Sequence, residues 1–283
     1  MTSQIKTFFL LAALTGIILF LGGLMGGRTG LVIAFALAMF MNVGSYWYSD
    51  KIVLKMYSAR QLSPNDAPQV YAMVEELAAN AGIPTPRLYV VDQDAPNAFA
   101  TGRNPENAVV AVTSGIMRIL TPEELRGVIA HEIGHIANRD ILIQSVAAVL
   151  AGAIMMIANM MQWAAIFGFG GGDDEEGGTN PFAAILIAIL APVAASLIQM
   201  AISRSREYLA DSTGAQISSD PKALASALYK LDASARNIPM DANPATENMF
   251  IVNPFSGGNM ANWFSTHPST EDRIARLMSM AGR

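Results

Sequence analysis

Residues 8–27, 31–48, 141–169 and 181–202 carry no charged side chain. A helix needs about 20 apolar residues to cross a bilayer, so each stretch is long enough to span or nearly so. The sequence predicts two helical hairpins. The first turns at Gly26-Gly27-Arg28-Thr29-Gly30, and its second limb ends in Tyr46-Trp47-Tyr48, an interfacial aromatic belt. The second turns in the glycine-rich acidic loop 170–180, which has no Lys or Arg. Lys51, Lys55 and Arg60 follow the first hairpin, while Arg139, Arg204 and Arg206 flank the second. By the positive-inside rule this places both termini in the cytoplasm and loop 170–180 outside. A cleaved signal peptide is disfavoured, because run 8–27 is long for one and lacks an A-x-A site. Runs three and four have an alternative, a buried helical hairpin of a soluble domain, since Pro192 and polar residues interrupt them.

Composition agrees with a partly membrane-embedded chain. Hydrophobic residues make up 52% and charged residues 14%, with a mean hydropathy of +0.34. A net charge of −5 argues against a nucleic-acid partner. With no cysteine in the chain, a thiolate ligand or nucleophile is excluded and any metal falls to His, Asp or Glu.

The polar segments form the remainder, so the chain divides at 1–50, 51–140, 141–202 and 203–283. The spacing predicts a helix over 68–80 ending at Gly82, strands over 87–91 and 107–112, and an extended segment over 97–102. Thr121-Pro122-Glu123-Glu124 carries the marks of a capping box with Pro at N1. The helix it starts runs through His131-Glu132-Ile133-Gly134-His135. Two histidines at i and i+4 share one helix face and can reach one zinc ion, while Glu132 can take a proton from an attacking water. Helices are also expected over 203–215, over 221–232 with Ser219 or Asp220 as cap, and over 270–280. Residues 236–264 show no clear period.

A catalytic zinc takes three protein ligands and keeps one position open. Glu207 and His267 are the candidates for the third. If the helices of the second hairpin run straight out of the membrane, His135 and Glu207 lie equally far from its turn and meet at one height. That favours Glu207. Asp211, one turn on, is then placed to accept the free N–H of a ligating histidine.

The H-E-I-G-H motif, followed by Asn138-Arg139-Asp140, a hydrophobic hairpin and Ser203-Arg204-Ser205-Arg206-Glu207-Tyr208-Leu209-Ala210-Asp211, resembles the HtpX family of bacterial heat-shock membrane proteases. That family is related to the CAAX-prenyl endopeptidases and the mitochondrial Oma-type proteases. The resemblance implies one zinc ion per chain held by His131, His135 and Glu207, with Glu132 as general base. It implies an α-rich α+β fold: a zincin-like (gluzincin) cytoplasmic protease domain with four transmembrane helices. It also implies a multi-pass protein of the bacterial inner membrane that cleaves misfolded or damaged membrane proteins as part of a stress response. Thr266-His267-Pro268-Ser269 is similar to the family's carboxy-terminal motif, whose histidine hydrogen-bonds the oxyanion. Arg273 either pins the ligand helix or contacts substrate. Asn97-Ala98-Phe99-Ala100 resembles the family's edge strand, which holds substrate by main-chain pairing; an ordinary core strand is the alternative. Two rival functions are weaker. An intramembrane protease needs its motif in an apolar span, whereas Glu123, Glu124, Arg126, Arg139 and Asp140 flank this one. A structural zinc scaffold needs a fourth protein ligand and leaves Glu132 without a purpose.

Overall fold

The computed structural model describes residues 3–166, 203–238, 240–254 and 268–282. Helical hydrogen bonding runs through α1 (Ser3–Met56), yet α1 is not one rod. At 1.5 Å per residue a straight helix would hold Thr15 and Asn42 about 40 Å apart. Instead Asn42 Nδ2 donates to Thr15 Oγ1 at 2.8 Å. The chain folds back at Gly27, whose φ of +54° suits a residue without Cβ. Beyond the turn, Gly22 packs on Ala34 and Gly30 so closely that a Cβ at either glycine would collide. Residues 3–56 therefore fold back on themselves as a helical hairpin. Its second limb, Gly27–Met56, is long and apolar enough to cross a membrane, and the first limb is shorter. Val32, Phe35, Phe40 and Trp47 face outward from it.

A four-stranded sheet follows, built from β1 (Arg60–Gln61), β2 (Arg87–Val91), β3 (Ala98–Thr101) and β4 (Val109–Thr113) in the order β1-β2-β4-β3. β2 and β4 are parallel, and the outer pairs are antiparallel. Helix α2 (Pro68–Asn80) lies between β1 and β2 in sequence. The strand expected over 107–112 starts later, because Pro105–Asn107 forms a 3-10 turn. Helix α3 (Ser114–Ile119) was not foreseen; the Thr113 hydroxyl accepts from Ile116 N and starts it.

Helix α4 (Pro122–Ala137) has the predicted capping box. Glu124 does more than cap: it also accepts from Ser226 at 2.7 Å and Lys230 at 2.8 Å. Those donors lie on α7 (Pro221–Ala235), which Asp220 caps through Ala223 N. Helix α6 (Arg204–Ser218) and helix α8 (Thr270–Ala281) complete the domain. One core joins the sheet, α2, α4, α6, α7 and α8 through Leu88, Val110, Ile129, Ile133, Leu228 and Leu277.

One expectation is corrected here. The histidine helix was expected to run straight on from the third apolar run. Instead α4 and α5 (Ile141–Ile166) meet at a 90° bend. Arg139 adopts φ 59°, with Arg139 N donating to Ile136 O at 3.0 Å and Asp140 N to His135 O at 2.9 Å. That is a Schellman stop with arginine where glycine is usual. Beyond it, α5 begins buried: Ile143, Val146, Leu150 and Ile154 pack inside the protein, partly against Leu10 and Leu14 of α1. The loop 170–180 and the fourth apolar run lie outside the described residues.

Segment 236–254 is ordered by long-range contacts rather than by a period. Pro244–Met249 is a 3-10 turn. Phe250 then stacks edge-on to Phe99 and Tyr57, with ring centroids 5.6 Å apart in each pair.

Candidate active site

Every residue of α4 from Gly127 to Ile136 is buried. Glycines set how closely its neighbours approach. A Cβ on Gly214 of α6 would lie 2.9 Å from His131 N, and one on Gly134 would lie 2.9 Å from Ala210 O. Both clashes are with backbone, which cannot swing aside. Gly214→Val is therefore expected to push α6 off α4, costing about 1–3 kcal/mol of stability. It should also lower the metal content of the purified protein. Full metal content at an unchanged melting temperature would refute this account.

This close contact brings three side chains together. His131 Nε2 and His135 Nε2 are 3.2 Å apart. Glu207 Oε2 is 3.7 Å from the first, and Glu207 Oε1 is 3.6 Å from the second. Tetrahedral zinc with bonds near 2.0–2.1 Å separates its ligand atoms by about 3.3–3.4 Å. With one carboxylate oxygen facing each histidine, the three residues are close enough to surround one ion, and all three are buried. His267 lies outside the described residues.

Charge points the same way. Around the histidines, Glu132, Asp140, Glu207 and Asp211 are buried with two guanidinium groups, Arg206 and Arg273. Four carboxylates lie against two guanidinium groups, so the cluster is acidic and suits a cation. The excess of carboxylates also raises proton affinity. Burial lifts Glu132 to about 7, and the charge of Glu207 adds to the effect. Burial works against a charged His135, but Glu207, Asp140 and Glu132 outweigh it and raise its pKa to about 9. His131 is lowered by burial, against the pull of Asp211.

Each histidine has a carboxylate behind its Nδ1. His131 Nδ1 is 2.9 Å from Asp211 Oδ1, and His135 Nδ1 is 3.6 Å from Asp140 Oδ2. The Asp211 contact is short enough to fix the orientation and tautomer of His131, whereas the Asp140 contact is an ion pair beyond hydrogen-bond length. Asp211 is itself clamped. Arg273 Nη2 and Nε donate to its two oxygens at 2.7 and 2.9 Å, and Arg273 Nη1 donates to Ile251 O at 2.8 Å. Of its two expected roles, Arg273 thus has the pinning geometry. Asp140 was not singled out from the sequence; its only signal was its place at the end of the motif helix.

Glu132 differs from its neighbours. It is 1% exposed, and among the described residues neither carboxylate oxygen has a hydrogen-bond partner. The backbone N–H of Ala100, on β3, is the group that favours its charged form from the sheet side. β3 is an edge strand, as expected for 97–100, but its outer edge is partly used. Ile251 N donates to Ala98 O at 3.2 Å, Phe99 bridges to Phe250, and Asn97 Nδ2 donates to Val252 O at 3.1 Å. The Phe99 ring packs in the Tyr57 and Phe250 cluster on the other side of the sheet. Among residues 97–100, only Ala100 is left beside Glu132.

Comparison with known proteins bears on this site. The model of peptidase family M48 matches residues 64–281. A protease HtpX homolog of Syntrophobacter fumaroxidans is 59% identical over 282 residues, covering 99% of this chain and 100% of that one. One from Ralstonia nicotianae is 57% identical, with 99% and 98% covered. Among solved structures, the crystal structure of S. mikatae Ste24p shares the fold, at a TM-score of 0.52 and 19% identity. The match covers 97% of this chain and 65% of that one.

Proposed function

The chain belongs to peptidase family M48 and is a metalloprotease, and on that premise we propose that it is a zinc-dependent endopeptidase of the bacterial inner membrane. It cuts misfolded or damaged membrane proteins at the cytoplasmic face. The observation that carries this reading is the convergence of His131, His135 and Glu207 beside a buried carboxylate, Glu132, whose oxygens have no hydrogen-bond partner among the described residues. A closed structural site has no use for such a group.

In this reading His131, His135 and Glu207 hold one zinc ion, with Asp211 orienting the imidazole of His131. When bound, the ion polarises the scissile carbonyl and stabilises the charge that develops on it. Glu132 takes the proton of the attacking water and returns it to the leaving amine. A carboxyl lifted to about 7 is suited to both transfers near neutral pH. The substrate backbone lies along the part of β3 left open at Ala100. His267 donates to the oxyanion.

The gluzincin architecture and the four-span arrangement belong to the same proposal. The hairpin of α1 and the helix α5 with its successor cross the bilayer, while segments 51–140 and 203–283 form the cytoplasmic domain. Supporting it are the outward-facing apolar side chains of Gly27–Met56 and the basic residues that follow them.

The test is to incubate the detergent-solubilised full chain with an unfolded protein, with and without a chelator. Cleavage is expected to stop on chelation and return on adding zinc. Metal should also stabilise the fold, by about 2.7 kcal/mol at a hundredfold excess over Kd. Cleavage indifferent to the chelator, or kept by His131→Ala, would sink the proposal.

A further inference from the structure

Away from the metal site, Arg103 and Arg139 line one cavity of about 410 Å³. Its apolar wall comes from three places. Phe8 and Leu11 lie near the start of α1, Tyr46 lies on its second limb, and Leu142 opens α5. These are the helix ends that the topology brings to one membrane face. The two guanidinium groups form its polar side. Neither has a carboxylate partner among the described residues: Arg103 lies over the Trp47 ring at 4.7 Å, and Arg139 is exposed at the corner between α4 and α5. Arg87, Arg118, Arg126, Arg236 and Arg273 each face a carboxylate; Arg60 and Arg276 pair with none among the described residues, but neither lines this cavity. In a chain of net charge −5, two unpaired cations turned toward one cavity call for an anion.

We propose that this cavity binds an anionic phospholipid, with its phosphate between Arg103 and Arg139 and an acyl chain along Phe8, Leu11 and Leu142. Guanidinium groups match phosphate oxygens in charge and geometry. Tyr46 and Trp47 mark headgroup depth. Among the described residues no carboxylate lines the cavity, so the ammonium of a zwitterionic lipid finds no partner in this lining. The site adjoins the catalytic parts on both sides. Arg103 comes two residues after Thr101 of β3, and Arg139 precedes Asp140. A bound lipid would therefore tether the end of the edge strand and the end of the histidine helix to the same membrane surface.

The proposal rests on bilayer insertion, not on the peptidase reading. Its test places the full chain in nanodiscs of phosphatidylcholine containing a minority of spin-labelled phosphatidylglycerol and reads the immobilised lipid per chain. The parent is expected to select phosphatidylglycerol over labelled phosphatidylcholine. The double variant Arg103→Gln, Arg139→Asn, in which Asn suits the left-handed turn, is expected to lose that selectivity roughly thirtyfold, at about 1 kcal/mol for each basic side chain near a membrane surface. A Lys51→Gln, Lys55→Gln variant, basic but outside the cavity, is expected to keep it. No selectivity in the parent, full selectivity in the Arg103 and Arg139 variant, or equal loss in the lysine variant would each overturn the site. So would displacement of the lipid by inorganic phosphate alone. A chain that fails to enter nanodiscs would overturn the membrane reading, and this site with it, while leaving cleavage in detergent intact.

Discussion

Glu132→Gln is expected to reduce peptide hydrolysis by about 10²–10⁴-fold, the usual range for losing a general acid–base group, while the protein keeps its metal. The separation follows from geometry. Glu132 is not among the three converging ligand residues, and its oxygens have no hydrogen-bond partner among the described residues. Glutamine has the same shape, so the packing around it is preserved. It cannot accept the proton. Burial also favours the neutral form at this position, so the fold should be no less stable, and a small gain is expected. Metal content, melting temperature and kcat measured on one preparation give the result. Retained turnover would remove Glu132 from the chemistry. Lost metal would make it a ligand, contrary to the assignment.

The second large effect is on stability. Arg273 is 2% exposed and carries a bidentate bond to Asp211 with a third bond to Ile251 O. Burial alone would lift Asp211, but Arg273 and His131 hold it well below the usual carboxylate range. Arg273→Ala strands a buried carboxylate and a buried carbonyl together. Breaking a buried ion pair from one side costs about 3–5 kcal/mol, a fall in Tm on the order of 10 °C for a chain of this size. Metal affinity should drop as well, by about 10–100-fold, because Asp211 orients His131. Arg273→Lys keeps the charge but cannot bridge both Asp211 oxygens and Ile251, so it should fall between the two. An alanine variant that melts with the parent would show that α8 is not held by this residue.

Much of the site's chemistry is local and could be read from sequence. The capping box at Thr121 and Glu124, the i, i+4 histidines and the limits of α2 at Pro68–Asn80 all depend on neighbours within a few turns. The route to Glu207 was less sound. Two straight helices were expected to meet at one height, but α4 turns away from α5 by 90°. The meeting instead depends on Gly134 and Gly214, which let α6 lie against α4. Those contacts join Gly134 with Ala210 and Gly214 with His131, 76 and 83 residues apart in sequence, and no periodicity records them. The corner at Arg139 escaped notice for a related reason: helix stops are recognised by glycine, and here arginine fills the left-handed position. Phe250–Val252 has no strand pattern of its own. It is held by β3, Arg273 and the Tyr57–Phe99 rings, all of them distant in sequence.

The corner at Arg139 has a consequence for reach. On the four-span reading proposed above, α5 would stand across the bilayer and the 90° corner would lay α4 along its plane. The metal site would then be offset from the membrane by about the thickness of one helix, roughly 10 Å, instead of by a projecting helical arm. Under that proposal a slack chain leaving the membrane would enter so shallow a gap more readily than a folded loop, and foldedness would be judged by clearance instead of by sequence.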